Sequence, residues 1–145
     1  MASYYNFRVT PYTWHEMNGI YVIDNQFIIQ LDDRKHVYTF KIHKDFMTDG
    51  GSIPKIFRWF AKGWSDDYKY NATFILHDWC YASGKVARPI ADDMLRSSLR
   101  DCGIDRIHAS TICWAVNNFA ANHYGIMNDD LDCAGYGELV SVITL

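Results

Sequence analysis

The chain divides into an early part in which apolar and polar residues alternate and a later part in which apolar residues recur every three or four positions. Alternation is the period of a strand with one buried face, and the wider spacing is that of a helix with a buried stripe. From Phe7 to Trp14 the pattern predicts an edge strand, interrupted by Pro11, which cannot donate to a ladder. Ile20 to Leu31 and His36 to His43 alternate on either side of Asp32-Asp33-Arg34-Lys35, and predict a β-hairpin around that turn. At the other end, Leu139 to Leu145 is rich in β-branched residues and predicts a strand that returns to the N-terminal sheet.

The helical patterns lie between. Thr48-Asp49-Gly50-Gly51-Ser52-Ile53-Pro54 is a loop by composition and opens a short aromatic helix over Ile56 to Ala61, with Ser52 and Pro54 where helix N-termini favour them. Asp67 to Ala82 carries a stripe of Tyr70, Phe74, His77 and Tyr81. Arg88 to Cys102 starts with Pro89 in its first turn and stops at Gly103, and Asp105 to Tyr124 runs to Gly125. The connections are short, so neighbouring helices pack antiparallel. Strands, then helices, then a strand specify an α+β fold: an N-terminal antiparallel hairpin or sheet on a bundle of three to four helices, with residues 1–145 as one domain. Trp59, Trp64, Trp79 and Trp114 are expected in the core, with one or two forming a stacking wall.

Composition supports an ordered chain: 145 residues, 49% hydrophobic and 16% aromatic, suffice for a core without staples. The net charge is −3, and Lys and Arg stop at Arg106, after which the charged residues are Asp129, Asp130, Asp132 and Glu138. The rest of the chain is near +1, which argues against general nucleic-acid binding and leaves room for a local basic pocket. Cys80, Cys102, Cys113 and Cys133 include no Cys-x-x-Cys pair, so they read as reduced thiols in a cytoplasmic chain rather than a zinc module. The opening residues Met1 to Asn6 lack a signal-peptide pattern, and no apolar run is long enough for a transmembrane segment.

The chemistry concentrates in His77-Asp78-Trp79-Cys80-Tyr81, followed by Asp92-Asp93 in the next helix. In a helix His77 and Tyr81 share a face, with Asp78 rotated by about 100° toward the next one. One turn then offers a base, an acid or metal ligand, and a phenol, while an antiparallel helix brings a carboxylate to fix the imidazole tautomer. Gly50 and Gly51, ahead of Ser52, leave backbone N–H groups able to hold an anion, though Ser52 alone is first an N-cap. His108, Asn117, Asn118 and His123 are expected as surface or packing residues of the last helix. Asn128-Asp129-Asp130-Leu131-Asp132 lacks the glycine and distal glutamate of a calcium-binding EF-hand loop.

Taken together, Asp45-Phe46-Met47-Thr48-Asp49-Gly50-Gly51-Ser52-Ile53-Pro54, the His77 to Tyr81 run, Arg88 with Ala91-Asp92, and Trp114-Ala115-Val116 resemble the phage and prophage family known as domain of unknown function 1353. The resemblance spans about residues 45–125 and implies a phage context and a common fold. A second, local resemblance is to the secretory phospholipases, in which a His activates water, the adjacent Asp binds calcium and a distant Asp orients the imidazole. It implies His77 as base, Asp78 as metal ligand, Asp92 or Asp93 as orienter and Tyr81 as a supporting hydroxyl. The cysteine spacings and the loop Asp49-Gly50-Gly51-Ser52 differ from those enzymes. Of the two acids Asp92 is the expected partner, with Arg96 at i+4 and Leu95 and Leu99 marking the neighbouring buried stripe, while Asp93 reads as a solvated acid.

The function expected from these residues is a small phage-type hydrolase of an ester or phosphodiester. His77 takes a proton from water, Asp92 holds the imidazole, and Asp78 with Asp49 binds a divalent cation, calcium or magnesium. Arg88 or Lys85, with Gly50, Gly51 and Ser52, would hold a small phosphate-bearing or ester ligand such as a host nucleotide signal. Two other classes compete. One is a counter-defence binding protein, a ligand sponge or inhibitor without turnover; the other is a virion or assembly component whose His-Asp pair is structural.

Overall fold

Two antiparallel sheets come from the alternating part of the chain, and three helices from the part with helical spacing. The structure is a computed structural model that describes residues 6–48, 64–120 and 134–145, with backbone alone for 116–120 and 134. The expected helix over Ile56 to Ala61 lies outside the described residues. The larger sheet holds β1 (Asn6–Val9), β4 (Phe27–Asp32), β5 (His36–Ile42) and β7 (Gly137–Thr144), in the order β1-β4-β5-β7. The smaller holds β2 (Trp14–Met17), β3 (Ile20–Ile23) and β6 (Met47–Thr48), in the order β2-β3-β6.

The expected hairpin forms between β4 and β5, with Ile29 opposite Phe40 and Leu31 opposite Tyr38. Its turn is closed by Asp33, whose carboxylate accepts from the backbone N–H of Lys35 at 2.9 Å and of His36 at 2.6 Å. The continuous strand expected from Ile20 to Leu31 instead splits between the sheets. Asp24 N–H donates to Thr13 O, and Asn25 Oδ1 accepts from Thr13 N–H, each at 2.9 Å, so the chain is tied down where it changes sheet. The strand expected from Phe7 to Trp14 splits in the same way, with Pro11 in the break. Asn18 and Gly19, both at positive φ, make the two-residue turn between β2 and β3.

The helices are α1 (Tyr68–Ser83), α2 (Arg88–Asp101) and α3 (Arg106–Ala120, to the edge of the described residues). Asp67 caps α1 by accepting from the N–H groups of Lys69 and Tyr70, and Gly84 ends it in the left-handed conformation at φ 65°. This helix is buried on both sides. Ile75, Leu76 and Trp79 join Phe7, Ile29, Leu31, Phe40 and Ile42 of the larger sheet in one core, while Tyr70 and Phe74 join Leu95, Leu99, Ala109 and Ile112 in a second. The predicted stripe of Tyr70, Phe74, His77 and Tyr81 is therefore the face turned to the other helices. Among the described residues no helix is long and apolar enough to cross a membrane.

The last strand returns to the sheet as expected, pairing antiparallel with β5 and placing Leu139 opposite Phe40. Its first residue packs directly on α1. A Cβ at Gly137 would lie 2.6 Å from Trp79 Cδ1 and 2.7 Å from Nε1, and Trp79 is 2% exposed with no room to turn away. Gly137→Ala is expected to lower the unfolding free energy by about 1–3 kcal/mol, the usual range for overpacking a core. Urea denaturation measures it, and an unchanged midpoint would contradict the contact.

Candidate functional site

His77 sits on the third turn of α1, where the helix crosses the N-terminal half of α2. Its Nε2 lies 2.9 Å from Asp92 Oδ1, and Tyr81, one turn on, donates its hydroxyl to the same oxygen at 2.6 Å. The i, i+4 spacing puts both donors on one face, and the short connection from Ser83 to Arg88 folds α2 back across it. The two rings stand 4.2 Å apart between centroids. The imidazole is 4% exposed, whereas the Asp92 carboxylate is 20% exposed.

The phenol has a second partner. Arg88, at the start of α2, also hydrogen-bonds the Tyr81 side chain, so a guanidinium, a phenol, a carboxylate and an imidazole form one connected chain. Burial pushes the Tyr81 phenol above its ordinary range, and the Asp92 carboxylate adds to this while Arg88 opposes it. Tyr81 is therefore a neutral donor at physiological pH. Arg88, expected on a substrate phosphate, is thus tied to Tyr81. Lys85 is exposed on the turn between the helices, its backbone N–H on Ser83 Oγ, and is not brought into this chain of contacts.

Asp78 faces a different element. Thr48, 1% exposed at the end of β6, donates its hydroxyl to Asp78 Oδ2 at 2.9 Å and so links the smaller sheet to α1 beside the dyad. Thr48 belongs to the loop motif read from the sequence but was not among its expected site residues; only contact with Asp78 reveals it. Asp49, Gly50, Gly51 and Ser52 follow it in the chain and lie outside the described residues, as do His123, the Asn128 to Asp132 segment, Cys133 and Trp59. The side chains of Asn117 and Asn118 lie outside them too. Among the described residues no group of three or more His, Cys, Asp or Glu is placed to hold a metal ion.

Asp93 departs from the solvated acid expected of it. It pairs with Arg96, which was expected at Asp92, and both side chains are less than one-third exposed. An i+3 partner lies as near on a helix as an i+4 one, so spacing alone does not decide between the two acids. Asp92 and Asp93 open onto a shallow depression of about 340 Å³ between α2 and α3, bordered by Arg96, Ser110 and Trp114. Trp114 is 56% exposed there rather than buried in the core, while Trp79 is a core residue and Trp64 stacks on Tyr21 at 4.3 Å. His108 is half-buried and bonds Asp105 at the start of α3, the local packing role expected of it.

Cysteine chemistry is disfavoured on electrostatic grounds. Cys80, Cys102 and Cys113 are free thiols, as expected. Burial pushes the Cys80 thiol far up with Asp92 adding to it, and burial pushes Cys113 up to about 12. Neither supplies a thiolate nucleophile near neutral pH.

The model of one family, described as Protein of unknown function (DUF1353), matches residues 22–116. That span begins earlier than the 45–125 expected, at β3, and ends within α3; it contains Thr48, His77, Asp78, Tyr81, Arg88 and Asp92. No curated protein and no solved structure matches the chain.

The two adjacent acids should respond differently to neutralisation. Asp92→Asn weakens two hydrogen bonds to a carboxylate, one of them to a buried imidazole, and is expected to cost about 1.5–3 kcal/mol of stability. Asp93→Asn loses one partly exposed i, i+3 pair, expected at about 0.5 kcal/mol. Denaturant midpoints of the two variants measure the contrast, and equal losses would contradict the assignment of Asp92 as the buried junction.

Proposed function

The chain belongs to the DUF1353 family, and from the site it carries we propose a small hydrolase that uses His77 and Asp92 to activate water against an ester or phosphodiester bond. The observation that supports this is the single Asp92 oxygen that meets both His77 Nε2 and the Tyr81 hydroxyl. An Nε2–H donated to Asp92 fixes the neutral tautomer in which Nδ1 is the basic nitrogen, and the carboxylate then stabilises the imidazolium formed when Nδ1 takes a proton from water. Tyr81 holds the carboxylate in place, and Arg88 holds Tyr81. The same His-Asp-x-Cys-Tyr run with a distant aspartate serves ester hydrolysis in the secretory phospholipases that the helix resembles.

Asp78 presents a hard oxygen donor beside the dyad, and with Asp49, next in the chain after its partner Thr48, it would hold calcium or magnesium. Such an ion would supply positive charge to polarise the scissile bond. In the phage setting we propose for the protein, host nucleotide signals and lipid esters are the substrate classes that fit this chemistry.

The burial of His77, at 4% exposure, favours one second reading, in which the pair is a structural junction between α1 and α2 in a virion or assembly component. Breaking a buried pair by removing one partner costs about 3–5 kcal/mol. At roughly 3 °C per kcal/mol for a chain of this size, His77→Ala would then melt about ten degrees lower. The hydrolase reading expects His77→Gln and Asp78→Asn to melt within a few degrees of the parent while activity is lost.

The activity itself is tested with calcium or magnesium and a panel of bis-p-nitrophenyl phosphate, cyclic di- and trinucleotides, phospholipid vesicles and peptidoglycan. Turnover of a phosphodiester or of the vesicle lipid is expected, stopped by chelator and reduced by about 10²–10⁴ in His77→Gln, the usual contribution of a general base. A nucleotide that binds and returns unchanged with either metal would replace the hydrolase with a ligand-holding protein. Absence of both binding and turnover would leave the structural junction.

A further inference from the structure

The Asp92 carboxylate has two oxygens, and the dyad uses one of them. Oδ1 accepts from both His77 and Tyr81, whereas Oδ2 accepts no hydrogen bond among the described residues and is not buried. Asp92 also lines the depression of about 340 Å³ between α2 and α3, so Oδ2 is the oxygen left to meet whatever enters it. The rest of that depression is one flat surface with a polar rim. Trp114, 56% exposed, gives the surface. On the rim Arg96 spends Nη2 on Asp93, and its other guanidinium nitrogens, like the Ser110 hydroxyl, have no hydrogen bond among the described residues.

Size, surface and charge say what fits. The volume of about 340 Å³ is at the small end for ligand sites, so the depression takes one ring system rather than a polymer. An exposed indole holds a flat π-ring by stacking, and every nucleobase offers one. Asp92 and Asp93 against Arg96 leave the rim acidic, so it favours a ligand edge that donates hydrogen bonds, and a phosphate would lie outside it. The amino groups of guanine, adenine and cytosine supply such an edge, and a carboxylate is a suitable acceptor for a base amino group. An acyl chain would instead cover two carboxylates and a guanidinium without pairing them, which is costly.

We infer that this depression binds the base of a nucleotide, stacked on Trp114 with its amino group donated to Asp92 Oδ2, so that one carboxylate joins the base to the imidazole. The inference rests on the proposed hydrolase for the reaction, where it selects nucleotides over lipid esters as the substrate class. For the binding itself it does not.

Nucleosides separate the two, because they carry a base and no phosphodiester to cut. Isothermal titration calorimetry of the full chain is expected to show binding of guanosine, adenosine or cytidine. Uridine and inosine, which lack an amino group, should bind about tenfold more weakly or less, the loss of one hydrogen bond to a charged group. Trp114→Ala should weaken binding by about tenfold, a usual worth of base stacking, and should keep the parent's melting temperature because the ring is more than half exposed. The parent alone supplies a further measurement: bound nucleoside should shift the Nε2 proton resonance of His77, since both share Asp92. Nucleosides that bind in this way while no nucleotide is turned over would keep the base site and remove the hydrolase. Binding of no nucleoside would overturn the inference, as would equal affinity in Trp114→Ala, equal affinity for uridine, or an unshifted His77 signal. Methyl glycosides bound in place of nucleosides would overturn it too, in favour of a sugar.

Discussion

Asp92 is the junction at which two side chains of α1 meet α2, within a contact that is mostly apolar and has the Lys69–Asp101 ion pair at its other end. Its carboxylate oxygen takes a hydrogen bond from each of two α1 side chains one turn apart, which fixes both the rotation of α1 about its axis and its height against α2. Apolar packing is non-directional and tolerates small shifts, whereas two bonds to one oxygen do not. The arrangement is costly to leave incomplete. A buried imidazole without its carboxylate, or a carboxylate facing α1 without its donors, would leave an unpaired polar group in a largely buried site.

The surroundings of α1 make that constraint propagate. Phe40 and the start of β7 press on Trp79 from the larger sheet, and Tyr70 and Phe74 press on α3 and the far half of α2. Thr48 ties the next helix position, Asp78, to the smaller sheet. Residues 77, 78, 79 and 81 thus reach α2, the smaller sheet, the larger sheet and α2 again. A helix packed on both sides has little freedom to turn, so the imidazole, the Asp78 carboxylate and the phenol are held in their directions relative to one another. Pre-organisation of this kind is what general base catalysis asks of a scaffold.

Much of this is legible in the chain itself. Asp67 and Gly84 mark the ends of α1 by the chemistry of helix caps, Pro89 and Gly103 bracket α2, and the i, i+4 spacing of His77 and Tyr81 puts both on the face toward α2. The hairpin of β4 and β5 follows from its alternation and its Asp-rich turn. Other features depend on contacts that spacing does not encode. The break at Asp24 and Asn25 arises from hydrogen bonds to Thr13, twelve residues or so away, so the alternating run from Ile20 to Leu31 gives no sign of it. Arg96 has acids at both i−3 and i−4, and tertiary packing selects Asp93. Arg88 was read as a phosphate ligand because it is a cation near a candidate site, and its hydrogen bond to the Tyr81 phenol is a contact that spacing does not show. Trp114 was read as core because it is large and apolar, yet it lies on the open side of α3.

The tautomer of His77 tests the account most directly. Nitrogen-15 correlation spectra of the imidazole distinguish a protonated Nε2 from a protonated Nδ1 at neutral pH. The account predicts the Nε2–H form, with Nδ1 unprotonated and the Nε2 proton strongly deshielded by Asp92, and predicts that Asp92→Asn disturbs this signal while Asp93→Asn leaves it in place. A ring found with Nδ1 protonated and Nε2 bare would contradict it, because Asp92 would then be unable to orient the imidazole as a base.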